Sequence, residues 1–219
     1  MIIIKKYILF DLDGTVTDPM IGITKSVQYA LNKFDIEVED LNELCKFIGP
    51  PLKDSFMNFY NFTEEDALNA ITYYREYFST KGLYENTVYE NFEDMLISLK
   101  EKNKTLIIAT SKPTVFAEKI LEHFNLKKYF DFIAGSNLDN TRTKKADVIS
   151  YALEQQGITE VSEIIMIGDR EHDVIGAKAL NIESIGVLHG YGSYDELSNS
   201  GANYIVKDVK ELHSLLLSL

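Results

Sequence analysis

Two carboxylates separated by a single residue, Asp11 and Asp13, follow an apolar run and lead into Gly14 and Thr15. Acids so placed can move a phosphoryl group. One carboxylate attacks phosphorus and forms an acyl phosphate, while the other protonates the leaving oxygen and later activates water. Gly14 lets the chain leave the run sharply, and both acids need a cation close by. The plain alternative for an Asp-Gly pair is an Asx turn that caps the next helix, so the reading rests on what else the chain supplies.

Three further places supply matching chemistry. The apolar run 106–109 ends in Thr110, Ser111, Lys112 and Pro113, a hydroxyl at a strand end with a helix N-terminus just beyond it. Hydroxyl and backbone donors there can cradle a phosphate, although Thr-Ser is also an ordinary helix cap. Lys144 and Lys145 open a helical pattern after the run 132–135. A cation at a helix start opposes the helix dipole and is better explained by an anion it balances, a solvated surface pair being the alternative. Asp169 and Asp173 follow Ile167 and Gly168 and lie four residues apart, a spacing that brings two oxygen ligands to one side of a turn, where they can hold a hard divalent cation such as magnesium. His172, between them, fits an exposed or structural role, since magnesium prefers oxygen.

The elements that must position these groups are legible as alternating patterns. Continuous apolar runs at 7–10, 105–109, 132–134, 164–167, 184–187 and 204–206 predict buried parallel strands, and the first belongs to an apolar N-terminus, 1–10, that is too short to span a bilayer. Helical periodicity fills 92–102, 115–124, 148–156, 174–180 and 209–217. This alternation predicts an α/β fold, a doubly wound parallel sheet. One stretch, roughly 19–83, has helical periodicity and no convincing strand, with pieces at 22–33, 41–47, 52–60 and 64–80 broken at Gly49-Pro50-Pro51 and near Asn61. It reads as an inserted helical cap, giving a core of 1–17 with 84–219 and a cap of 18–83. Ligands of open α/β sheets bind beyond the carboxyl ends of the strands, which is where the four acidic and basic clusters fall.

Composition narrows the partners. The 219-residue chain has a formal net charge of −12, which argues against a nucleic-acid backbone or an anionic membrane as partner. Small anionic substrates remain, provided that a metal or a few convergent cations outweigh the global charge. Cys45 is the single cysteine, so no intrachain disulfide forms; it reads as a small packing residue, and a cytoplasmic location is expected.

Taken in order, these residues resemble the haloacid dehalogenase superfamily of phosphotransferases, from the first strand to the last helix. Its Asp-x-Asp-Gly-Thr box is matched by Asp11, Asp13, Gly14 and Thr15, its strand-ending Thr or Ser by Thr110, and its Gly-Asp-x-x-x-Asp by Gly168, Asp169 and Asp173. The third signature is usually Lys-Pro, whereas this chain has Lys144-Lys145-Ala146; Lys145 is preferred over Lys144. The resemblance implies Asp11 as nucleophile, Asp13 as general acid and base, and Lys145 as the third catalytic group. It places Gly14, Thr110, Ser111 and Lys112 around the phosphate. It implies Mg2+ on Asp11, the backbone carbonyl of Asp13 and Asp169, with Asp173 assisting directly or through water.

The insertion resembles the helical cap of the phosphoglycolate-phosphatase-like branch, so a small phosphorylated metabolite is the expected substrate, and the protein a monomer or homodimer. The turn from Gly49 to Lys53, with Lys53 itself, and Arg75 are candidate cap contacts to the leaving group; Lys81 and, on the core, Tyr191 are weaker ones. A 5'-nucleotidase or pyrophosphatase of the same branch and a sugar phosphomutase remain alternatives. Dehalogenases lack an acid at the Asp13 position. A phospho-accepting regulatory domain would lack both Asp13 and a large helical insertion.

Overall fold

The computed structural model describes residues 4–219, so the part of the expected N-terminal run at Met1 to Ile3 lies outside the described residues. The first strand, β1 (Tyr7–Phe10), is followed by the short β2 (Thr17–Asp18). Next come α1 (Met20–Asn32), a 3-10 turn (Leu41–Phe47), α2 (Leu52–Tyr60) and α3 (Glu64–Tyr77), which runs into a π-helical turn (Phe78–Gly82). The chain returns through β3 (Thr87–Val88), which pairs with β2. After α4 (Phe92–Glu101) the alternation is regular: β4 (Thr105–Pro113), α5 (Thr114–His123), β5 (Phe132–Ser136), α6 (Lys145–Gln156), β6 (Ile164–Gly168), α7 (Glu171–Ala179), β7 (Glu183–Val187), α8 (Tyr194–Ser200), β8 (Tyr204–Val206) and α9 (Val209–Ser218). Two compact units result, one from the residues up to 17 together with 88–219, the other from 18–87.

In the larger unit the strands form a parallel sheet in the order β5-β4-β1-β6-β7-β8. β1 is central, with Phe10 opposite Ile108 on β4 and Ile167 on β6. Strand order reverses beside it, β4 and β5 to one side and β6 to β8 to the other, which is the switch point where such sheets open a crevice. Side chains alternate across the strand. Leu9 joins Ile107, Met166, Val148, Ile149 and Ala177 on the face covered by α6 and α7. Phe10 points the other way, edge-on to Phe92 at 5.7 Å and Phe130 at 6.2 Å. Both faces of β1 are therefore buried, which fixes the height at which its carboxyl end delivers Asp11.

The smaller unit is helical. Phe47 meets Phe56 at 5.0 Å and Phe34 meets Phe62 at 4.6 Å, while Val27, Leu31, Leu44, Ala67 and Ala70 complete a buried core.

Three local features depart from the periodicity. Residues 41–47 are 3-10 rather than α-helical. The second long strand does not end at Ala109 but continues through Pro113, because after a register shift Pro113 lies opposite Ser136 on β5. Tyr194–Ser200 is a helix that apolar periodicity does not reveal: it buries only Leu197 and is started by Ser193, whose hydroxyl accepts the Glu196 N–H.

Candidate active site

Four elements end in the same place. Asp11 leaves β1 with its N–H donated to the Ile167 carbonyl of β6 at 2.9 Å, which holds it level with Asp169 just past the end of that strand. Lys145 is the first residue of α6 and is 5 % exposed. Its ammonium lies 2.8 Å from Asp11 Oδ1 and 2.8 Å from Asp173 Oδ1, and it donates to the Ala109 carbonyl at 3.1 Å. Its stem passes Gly176 of α7, where a Cβ would stand 2.8 Å from the Lys145 Cβ. Lys144 only precedes the helix. Of the two lysines, Lys145 is the one the fold brings to the acids.

Asp13 has a different counter-ion. Lys112, carried inward by the extension of β4, places its ammonium 2.9 Å from Asp13 Oδ2. The lysine expected to line the phosphate site thus also neutralises the second carboxylate of the box. Thr110 is buried, and its hydroxyl accepts the Lys112 N–H at 3.2 Å. Ser111 is held from behind, its carbonyl accepting the Ser136 hydroxyl at 2.8 Å.

The remaining acids are fixed by backbone donors. Asp173 Oδ2 accepts the Arg170 N–H at 3.2 Å, and Asp169 Oδ2 accepts the Tyr191 N–H at 2.8 Å. The Thr15 hydroxyl stands 3.5 Å from Asp169 Oδ1. Gly14 has φ +79°, and a Cβ there would lie 2.2 Å from the Asp169 carboxylate, so the turn needs glycine for both conformation and space.

Burial raises the pKa of three of the four carboxylates. It pushes Asp13 above the usual carboxylate range, opposed by the Lys112 ammonium. It raises Asp169 well above that range, with the Asp173 and Asp11 charges adding to the effect. Asp173 is pushed up to about 6, by burial against the attraction of Lys145. For Lys145 burial works the other way, but Asp11 and Asp173 outweigh it and hold the ammonium above its ordinary pKa.

Carboxylate oxygens of Asp11, Asp169 and Asp173 lie within 4.8 Å of one another. Asp11 Oδ1 and Asp173 Oδ1 are buried without a directed hydrogen bond despite the nearby ammonium. The site holds four carboxylates, Asp11, Asp13, Asp169 and Asp173, and two ammonium groups that pair with three of them, Lys112 and Lys145, which leaves two negative charges when all are ionised. An oxygen-only donor set with that excess fits a hard divalent cation. Asp13 stands outside the three-carboxylate cluster because its side chain is turned to Lys112.

The candidate cap residues belong to the 18–87 unit. Lys53 is ion-paired with Glu64, burial lowers the pKa of the Arg75 guanidinium, and the Lys81 ammonium lies 5.7 Å from the Tyr77 ring centroid. Two further core residues border the site without any mark in the sequence motifs. Glu196 accepts both Arg170 Nε at 2.8 Å and the Glu171 N–H at 2.9 Å, and His189 contacts the Thr15 carbonyl at 3.0 Å. Among the described residues no helix is long and apolar enough to cross a membrane.

The sequence profile described as haloacid dehalogenase-like hydrolase matches residues 8–187. A crystal structure of a predicted phosphatase from Clostridium acetobutylicum is 60 % identical, superposes with a TM-score of 0.97, and is covered over 100 % of its length by 99 % of this chain. A protein named 5'-nucleotidase from Pseudomonas aeruginosa is 46 % identical over 209 residues, 95 % of this chain and 94 % of that one. A Mycobacterium tuberculosis protein named tyrosine-protein kinase PtkA is 34 % identical over 199 residues, 90 % of this chain and 67 % of that one. The chain belongs to the haloacid dehalogenase-like hydrolase family and is an enzyme of its phosphatase type.

Proposed function

We propose that the chain is a magnesium-dependent phosphomonoesterase that hydrolyses a small phosphorylated metabolite through an aspartyl-phosphate on Asp11. The observation that carries this reading is the division of counter-ions: Lys145 faces Asp11 and Asp173, whereas Lys112 faces Asp13. Two carboxylates two residues apart are thereby given separate environments, which is how a nucleophile and a general acid are kept distinct. Asp11, Asp169 and the Asp13 backbone carbonyl would hold Mg2+, with Asp173 binding directly or through water. The ion would supply neutralisation of charge on the transferring phosphoryl.

The chain's own groups account for each proton and bond. Lys145, Lys112, Gly14, Ser111 and the Thr110 hydroxyl orient the phosphoryl oxygens, and an Asp11 oxygen attacks phosphorus in line. The bond from phosphorus to the ester oxygen breaks, and that oxygen takes a proton from Asp13, whose pKa burial raises against the pull of Lys112. Asp13, now a carboxylate beside Lys112, removes a proton from water. The hydroxide adds to phosphorus, the bond to Asp11 breaks, and orthophosphate leaves with Asp11 free and Asp13 protonated again.

Residues 18–87 act in this reading as a cap that admits ligands of limited size, with Lys53 and Arg75 as contacts to the leaving group. Similarity to the Pseudomonas 5'-nucleotidase puts nucleoside 5'-monophosphates first among substrates, followed by phosphoglycolate, pyrophosphate and sugar phosphates. A cytoplasmic enzyme, monomeric or homodimeric, is in keeping with the single cysteine. Orthophosphate release from a panel of these compounds, with and without Mg2+ and with Asp11→Asn as control, tests the proposal. Substrate consumption without orthophosphate would overturn hydrolysis and favour transfer to a second acceptor, as in a mutase or a kinase.

A further inference from the structure

The loop after β7 carries a partly buried histidine that the mechanism above does not use. His189 sits edge-on against Tyr89, ring centroids 4.5 Å apart, and its Nε2 is 3.0 Å from the Thr15 carbonyl. Tyr89 itself donates its N–H to the Val16 carbonyl at 3.3 Å. The imidazole of His189 and the backbone N–H of Tyr89 thus hold consecutive carbonyls, Thr15 and Val16, just after Asp13 and Gly14. The next three residues wrap the other side of the site. Tyr191 N–H holds Asp169, and Gly190 packs so closely that a Cβ would be 2.3 Å from the Gly14 carbonyl oxygen and 2.4 Å from the Asp169 Cβ.

Burial keeps the imidazole below its usual pKa. It therefore carries one ring hydrogen near neutral pH, and the contact with a carbonyl assigns that hydrogen to Nε2. The other nitrogen, Nδ1, is buried with no hydrogen-bond partner. A phenylalanine of the same shape would pack on Tyr89 without that orphan, so stability alone gives no reason for a histidine here. What histidine adds is a directed donor.

We propose that His189 is a positioning residue which, by holding the Thr15 carbonyl, sets the spacing between the Asp11–Asp13 turn and Asp169 and so the affinity of the carboxylate cluster for its divalent cation. The proposal rests on the metal-dependent reading above, but its decisive readout is metal binding rather than turnover.

The test compares His189→Phe, His189→Gln and His189→Asn with the wild type in thermal melts titrated with MgCl2 in the absence of substrate, alongside Mg2+ half-saturation of orthophosphate release. Gln can place an amide donor where Nε2 stands, while Asn reaches only to the Nδ1 position. The expected result is a Mg2+ half-saturation raised about tenfold in Phe and in Asn, and restored to within about threefold of wild type in Gln, in both readouts. The KM for substrate at saturating Mg2+ should stay the same. Equal Mg2+ response in Phe and wild type overturns the proposal, as does equal behaviour of Gln and Asn. If Phe does not fold, the Gln and Asn pair decides alone. Loss of phosphatase activity from every protein, wild type included, would remove the proposed function while the melts still read the positioning effect.

Discussion

The ammonium of Lys112 lies 2.9 Å from Oδ2 of Asp13, with both side chains almost fully buried. Burial alone favours the protonated acid, and Lys112 draws its pKa back down, so the pair sets the pH range over which Asp13 can donate a proton. Replacing Lys112 with Met removes the opposing charge and moves the Asp13 pKa further up. In the proposed mechanism the first chemical step draws its proton from Asp13, so the alkaline limb of kcat/KM should shift to higher pH in Lys112→Met. A pH-rate profile on a substrate with an alkyl leaving group checks this, and an unmoved limb would separate Lys112 from the proton transfer.

Asp13→Asn should divide the two half-reactions. With p-nitrophenyl phosphate, whose leaving group needs little protonation, a rapid release of about one equivalent of nitrophenol should be followed by turnover slowed by about 10²–10⁴ for want of a base. Stopped-flow absorbance at enzyme concentrations comparable to substrate would read the burst. A slow linear trace without a burst would contradict an acyl phosphate that depends on Asp13 for its hydrolysis.

The two adjacent lysines make a controlled comparison. Lys145→Met leaves Asp11 and Asp173 buried without their shared cation, a change that costs about 3–5 kcal/mol in comparable buried pairs, and it should also abolish orthophosphate release. Lys144→Met should change the urea midpoint and turnover little, since that residue only precedes α6.

In metal-free protein the acids themselves should make stability depend on pH. The Asp173 pKa is about 6 in the folded state against 3.8 ordinarily, so between those values the native state holds more protons than the unfolded chain. Stability therefore falls as pH rises through that window, by roughly 3 kcal/mol from this one group. Urea unfolding in EDTA at pH 4.5 and 6.5 should show the decline. Mg2+ should offset it at the higher pH, where the carboxylates are free to bind the ion. A midpoint that rises from pH 4.5 to 6.5 in EDTA would count against the buried-acid account.

Gly14→Ala would place a methyl group 2.2 Å from the Asp169 carboxylate at a φ of +79°. The substitution should cost about 1–3 kcal/mol and raise the Mg2+ requirement, read from melts with and without MgCl2.

Much of this architecture was legible because buried parallel strands are apolar throughout and their polar neighbours stand out. Asp11, Thr110 and Asp169 were visible for that reason. The choice between Lys144 and Lys145 was harder, since both stand at the same helix boundary and only the packing of α6 against Gly176 separates them. The ion pair from Lys112 to Asp13 depends on β4 continuing past Ala109, which follows from pairing with β5 and not from local sequence. The Tyr191 N–H and the Thr15 carbonyl are backbone groups and leave no signature in residue type. His189 did have a signal, a histidine directly before Gly-Tyr-Gly at a strand end, but a single histidine is too common to be singled out on sequence alone.

The central position of β1 also governs how the protein is made. Tyr7 finds its strand partners at Thr105 and Ile164, so β1 must wait for the second of them while roughly 150 further residues are added. At about 5–20 residues per second that wait lasts roughly 10–30 s. No nascent fragment that stops short of Asp169 can bring that residue to Asp11, so the buried acid cluster forms only after Asp169 has been made.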